Sequence, residues 1–173
     1  MPFTPFHLGP GLLAKAVLPR RLSLTAFAVT QVAIDLETLY HLARNEWPAH
    51  RGLHTVAGAS FVGVLVATGL ILGRPALARM SAGLLGASSG DRSEIVAETS
   101  NAGALLGGLV GGVSHSLLDA MMHADVRPFW PLTNDNPLLR AVSLGSLHTG
   151  CVLAGALGLA WWWIAGMRRR SAT

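Results

Sequence analysis

Six ionisable side chains stand at or beside hydrophobic segments long enough to cross a bilayer: Asp35, His50, His54, His115, Asp119 and Asp125. A titratable group in or near a membrane span is costly, so each is a functional hypothesis in itself. His115 and Asp119, in Ser114-His115-Ser116-Leu117-Leu118-Asp119, are four apart and share a helix face, with Cβ atoms ~5–6 Å apart. Both can bind one metal ion, or His115 can bind it while Asp119 orients a neighbouring ligand. The plain alternative is a hydrogen-bonded pair that holds helices together.

A second pattern, His50-Arg51-Gly52-Leu53-His54-Thr55, repeats the four-residue spacing that two ligands need on a helix face. Gly52 permits a close backbone approach, and Arg51 can hold a phosphate or carboxylate bidentately. The competing reading is an interfacial loop whose His and Arg face lipid headgroups. In Asp35-Leu36-Glu37 the two acids do not face each other on a helix. Asp35, deeper in its apolar run, is expected to point into the bundle. Glu37 is a second ligand, a general base or a solvated carboxylate. After the third run, the stretch His123-Ala124-Asp125-Val126-Arg127-Pro128-Phe129-Trp130-Pro131 reads as a stiff interfacial loop. There His123 and Asp125 offer further ligands or a base, and Arg127 an anion contact. Nitrogen and oxygen donors without thiolate suit Zn, Mn, Fe or Mg, with Zn the leading candidate. The single cysteine, Cys151, lies within an apolar run, which leaves neither a disulfide framework nor a thiolate metal site.

The elements that must position these groups are hydrophobic. Of 173 residues, 51% are hydrophobic and 13% charged, with 20 glycines and a mean hydropathy of +0.46. The charged fraction is half that of an ordinary globular domain, ~25%, which implies a small polytopic membrane protein of one domain, residues 1–173. The net charge of +4 forms no basic stripe, so nucleic acid is not an expected partner. Residues 55–73 are uncharged for 19 positions, and residues 141–167 for 27, ending at Trp161-Trp162-Trp163 before Arg168-Arg169-Arg170. At ~1.5 Å per residue either run can span. Residues 22–42 and 102–122 form two less pure spans, each with its polar residues toward the C-terminal end.

The first 20 residues lack the pattern of a cleavable leader, because their charges follow the apolar stretch. Pro10 and Pro19 bracket a helix too short to span, re-entrant or interfacial. If it folds back around Pro19, His7 lands opposite residues 33–35. Residues 74–101 read as a solvated loop with room for one short helix. The glycines at 103, 107 and 111, and at 108 and 112, are spaced for close helix approach. His148 is expected to bond a neighbouring helix. For four spans, Lys15, Arg20, Arg21, Arg74, Arg79, Arg92 and Arg168 to Arg170 fall on one side, nine against Arg44, Arg51, Arg127 and Arg140 on the other. The richer side belongs in the cytoplasm with both termini, so all the polar clusters come together at the outer face.

An N-terminal segment with His7, a span ending in Asp-Leu-Glu, the motif His-Arg-Gly-x-His-Thr, and Ser-His-x-x-x-Asp before an aromatic, Pro-rich loop occur in that order. This set resembles the YdjM-like inner-membrane-associated metal-dependent hydrolases over roughly residues 1–132. The resemblance implies His7, Asp35, His50, His54, His115 and Asp119 as the matching polar positions. The chain departs from that family where a second acid and a His follow the first Asp; here Leu36, Glu37 and Thr38 stand there.

The expectation is thus an all-α membrane bundle of about four spans plus the short N-terminal helix, in the inner (plasma) membrane, with one site near the outer face. Metal-assisted hydrolysis of a phosphoester or ester is the leading chemistry. His50, His54, His115 and Asp119 would be ligands, Asp35 a ligand or bridging carboxylate, Arg51 a charge neutraliser, and Glu37 or Asp125 a base. Membrane lipids are the surroundings, and a lipid, lipid-linked or small soluble ester the substrate. The rival is a small transporter or a proton or metal relay; it needs polar residues through the whole bundle. A scaffold with a vestigial site is a third reading.

Overall fold

A computed structural model describes residues 5–84, 98 and 100–170, and among them every regular element is a helix. A 3-10 turn, Pro5–His7, leads into α1 (Leu8–Val17), followed by α2 (Leu24–Ala43), a second 3-10 turn at Gly52–His54, α3 (Val56–Leu84), α4 (Asn101–Met122) and α5 (Leu144–Arg170). Helix starts are set by side-chain caps. Ser23 Oγ accepts from Ala26 N, Ser100 Oγ from Gly103 N, and Thr55 Oγ1 from Gly58 N, at 3.0, 3.2 and 2.9 Å. The expected loop over residues 74–101 begins later, because α3 continues through Pro75 to Leu84; residues 85–97 lie outside the described residues.

Among the described residues, three helices are long and apolar enough to cross a membrane: Val56–Met80, Asn101–Met122 and Leu144–Ala165. The expected fourth, α2, has the length but too polar an average. Its polarity is one-sided. Thr30, Gln31, Asp35 and Thr38 are buried, whereas Val29, Val32, Leu36 and Leu39 are exposed. These polar groups share the buried face with Phe27 and Ile34, and the exposed face is mainly apolar, where a helix packed against a water-soluble core would be polar.

Helix α4 is the centre of the bundle. Its glycines form two rows. A Cβ at Gly107 or Gly111 would lie 2.2 or 2.9 Å from the carbonyl oxygens of Ser23 and Phe27 on the α2 side. One at Gly108 or Gly112 would lie 2.2 Å from those of Gly63 and Ala59 on α3. Only residues without side chains let three backbones approach this closely. One turn beyond the glycines is His115, and the short interhelical distances bring it within reach of α2 and of the turn before α3.

The N-terminal segment folds back as a hairpin about residues 18–23. α1 packs on α5, with Gly9 against the Cys151 carbonyl and Gly158 against the Leu12 backbone. Phe6 stacks on His148 at 4.4 Å between ring centroids, an aromatic contact where a hydrogen bond was expected. Lys15, at the far end of α1, pairs with Glu98 and donates to the Leu22 carbonyl at 2.8 Å. The hairpin turn with Arg20 and Arg21 therefore sits at the end opposite His115, as does the C-terminal part of α5, whose Trp162 lines a pocket with Lys15. Pro5–His7, by contrast, lies at the His115 end, whereas the charge count grouped both termini together. The reason is that α1 runs down the bundle and α2 runs back up.

Candidate metal centre

Four side chains from three elements converge at the upper end of α4. Asp35 comes from α2, His54 from the 3-10 turn, and His115 and Asp119 from α4; each is buried, and the donor atoms lie within 4.8 Å of one another. Asp119 Oδ2 is 3.3 Å from His115 Nε2 and 3.5 Å from His54 Nε2, and His115 Nε2 is 3.5 Å from Asp35 Oδ1. Donors held ~2.1 Å from a tetrahedral Zn ion stand ~3.4 Å apart. Three of the six donor pairs already have that spacing. Asp119 Oδ1 turns the other way, 3.4 Å from His7 Nε2.

What surrounds the histidines decides their tautomers. Nδ1 of His115 donates to Gln31 Oε1, and the Gln31 amide is fixed in turn by donating to the Gly111 carbonyl at 3.3 Å. Nδ1 of His54 donates to Glu37 at 3.1 Å, and the same carboxylate accepts from the backbone N–H of Arg51 and Leu53, both at 3.1 Å. Carboxylates and amide oxygens only accept, so each ring carries a proton on Nδ1, which leaves Nε2 as the nitrogen that faces the cluster. Metal-binding histidines are held in this way. His54 Nε2 also meets the Thr38 hydroxyl at 3.2 Å. His115 Nε2 and both ring nitrogens of His7 are buried without a hydrogen bond. Such atoms have lost their water and keep only longer carboxylate contacts or none unless a ligand fills the space. The residues fit a divalent cation.

A second group adjoins the first. His50, His123 and Asp125 also bring donor atoms within 4.8 Å of one another. Nδ1 of His50 lies 2.9 Å from Asp125 Oδ2, which accepts from the N–H of Ala49 and of His50 at 3.1 Å each. The His123 ring stacks on His50 at 4.3 Å, and the His50 ring meets His54 edge-on at 4.7 Å. Burial would raise the Asp125 carboxyl, but the hydrogen bonds from His50 and the backbone outweigh it and hold the group below its ordinary value. Burial likewise lowers His123, and lowers His7 from 6.5 to about 4. Above this group opens a pocket of about 290 Å³, lined among others by His50, Arg51, Asp125, Arg127 and Trp130. Arg51 is exposed and reaches the Pro48 carbonyl at 2.9 Å and Glu46 at 3.4 Å; Arg127 donates to Asn134 at 2.9 Å.

The structure thus gathers Asp35, His54, His115, Asp119 and His7 into one centre and places His50 in the next. His50 and His54 do not share a helix face, because Gly52–His54 is a single 3-10 turn and His50 precedes it. Their rings diverge into different groups. Glu37 and Asp125 each brace a histidine rather than project into open space. Sequence reasoning missed three neutral residues. Gln31 and Thr38 bond the histidines, and Ser116 donates to the His54 carbonyl at 2.7 Å, pinning the 3-10 turn on α4. The only signal for the first two was their place four residues before and three after Asp35 on one helix face. Compared with known proteins, the chain matches no family model, no curated protein and no solved structure.

Proposed function

We propose that this chain is a membrane-embedded, metal-dependent hydrolase of the YdjM-like kind, acting on a phosphoester or ester. The observation that carries this reading is the buried Nε2 of His115, without a hydrogen bond yet within 3.5 Å of two carboxylates, its tautomer set from behind by Gln31. Asp35, His54, His115 and Asp119 would hold the ion, with His7 a fifth donor and Zn the leading candidate over Mn or Fe. A bound divalent cation supplies Lewis acidity and lowers the pKa of water.

The protein's own residues do the rest. Gln31 and Glu37 aim the histidines, and Thr38 offers a hydroxyl to the His54 edge. Asp125 keeps His50 oriented at the pocket floor, in place of the base assigned to it from sequence, and Glu37 has the corresponding role for His54. Arg51 and Arg127 at the rim give an anionic substrate a favourable approach. The bundle is read with α2 as a fourth span, since its exposed Val29, Val32, Leu36 and Leu39 suit lipid. Lys15, Arg20, Arg21 and the α5 end would then face the cytoplasm and the site the outer side of the inner membrane, within reach of a lipid-linked or small soluble ester. A relay is less well supported. Below the site the core is Ala26, Ala67 and Ala104, with no titratable group among them.

The test is hydrolysis of aryl phosphomonoesters, phosphodiesters and carboxylic esters by detergent-purified protein, before and after chelation. Turnover of one class that chelation abolishes, that Zn or Mn restores, and that His54→Ala lacks is the expected result. Metal-independent turnover, or none in any class with the metal bound, would overturn it.

A further inference from the structure

We infer that His50, His123 and Asp125 form a second divalent-cation position, adjoining the buried quartet and exposed to the pocket between Arg51, Arg127 and Trp130. This deepens the metal-dependent reading and rests on it. The quartet alone accounts for one ion. The second group has its own three donors within 4.8 Å, and none of the three belongs to the quartet. Nor is this a lone acidic cluster, since two of the donors are imidazoles.

Two features point to a ligand rather than a mere bracing contact. Asp125 is anchored by backbone and side-chain N–H donors, so its carboxylate is kept in position with or without an ion. A His–Asp pair would suffice to join the two loops, yet His123 is brought in as well. Its N–H is tied to the Asp119 carbonyl at 2.8 Å, and its own carbonyl accepts from Asn136 at 3.3 Å, which carries the ring over His50. The two groups touch through the His50 and His54 rings, 4.7 Å between centroids. The pocket lined by His50 and Asp125 leaves open positions that water or a substrate oxygen can fill, and no quartet residue lines it. A cation at the reachable position would offer a substrate oxygen a Lewis-acidic contact beside the enclosed one.

The experiment is Mn²⁺ titration of the chelator-stripped full chain in detergent, counted by metal analysis and followed by low-temperature electron paramagnetic resonance. Wild type is expected to take two equivalents, the second more weakly, with a spin-coupled spectrum at saturation. His123→Ala should keep one equivalent and give the plain six-line spectrum of isolated Mn²⁺. Asp125→Asn should weaken the second binding about 10-fold or more, and it carries the test should His123→Ala fail to fold. Saturation at one equivalent in wild type, or two retained in both variants, overturns the second position while leaving the first intact. His115→Ala distinguishes the two failures: if it removes no Mn²⁺, the reading of the quartet falls, and the second position with it.

Discussion

The quartet and the His50–His123–Asp125 group use the same kinds of side chain, yet differ in what holds them. Three of the four quartet donors stand on α2 and α4, whose backbones are locked together by Gly107 and Gly111. His54 is pinned to α4 through Ser116. These side chains are all but removed from solvent, at 0–7% exposure. The second group stands on two loops, residues 49–51 and 123–125, joined mainly through the Asp125 carboxylate. Two of its members, His50 and Asp125, border an open pocket. Donors on packed helices can be dehydrated and kept at fixed spacing, which suits retention of an ion. Donors on loops give up some of that precision for access, which suits exchange and substrate contact.

The sharpest way to break this contrast is to truncate one donor from each group. His115→Ala should weaken the tightly held ion by more than about 100-fold, whereas Asp125→Asn should leave it nearly unchanged. Equal losses by metal analysis would make the two groups one site. Acid offers a second handle. The folded, metal-free protein keeps His7 neutral down to about pH 4, while an unfolded chain protonates it near 6.5. Above 6.5 both states are neutral and His7 has no effect; as pH falls toward 4 the unfolded state binds the extra proton and stability declines, by on the order of 3 kcal/mol in full. Thermal unfolding of the metal-free protein at pH 7 and pH 4.5 should show the decline, and His7→Gln should flatten it.

Removing a brace should cost less than removing a donor. Gln31→Ala leaves every quartet donor in place but frees the His115 ring, and should weaken metal binding ~10–100-fold with helix content unchanged by circular dichroism. If Gln31→Ala proves silent, burial alone fixes the tautomer. The smallest effect is expected at the rim. Arg127→Ala should raise KM for an anionic substrate by several-fold, more at low salt, with metal content untouched.

Much of this was legible in the residues. His115 and Asp119 announce themselves because helical spacing fixes a shared face, and Asp35 because a carboxylate deep in an apolar run must face inward. His7 follows from the turn at Pro19, which makes its segment antiparallel to α2. The spacing of His50 and His54 suggested a shared helix face, but the chain there is too tightly turned for that rule to apply. Gln31, Thr38 and Ser116 were invisible as site residues, since a neutral polar side chain within a span is commonly just glue between helices. Only the partner it bonds tells the two apart. The expected fourth span has the same difficulty in reverse, because a hydropathy average cannot see that α2 buries its polar residues and leaves a mainly apolar face exposed.

The hairpin of α1 also bears on how the centre comes into being. His7 is synthesised before α2 to α5, yet the surface on which α1 rests is α5, the last of these four in chain order. Until α5 is inserted, Gly9 has no Cys151 carbonyl to lie against and Phe6 no His148 to stack on. A partly synthesised chain could assemble the quartet from α2 to α4 while its fifth donor was still unsecured. Completion of the centre thereby waits for α5, and a chain ending before it would carry the quartet without His7 held in place.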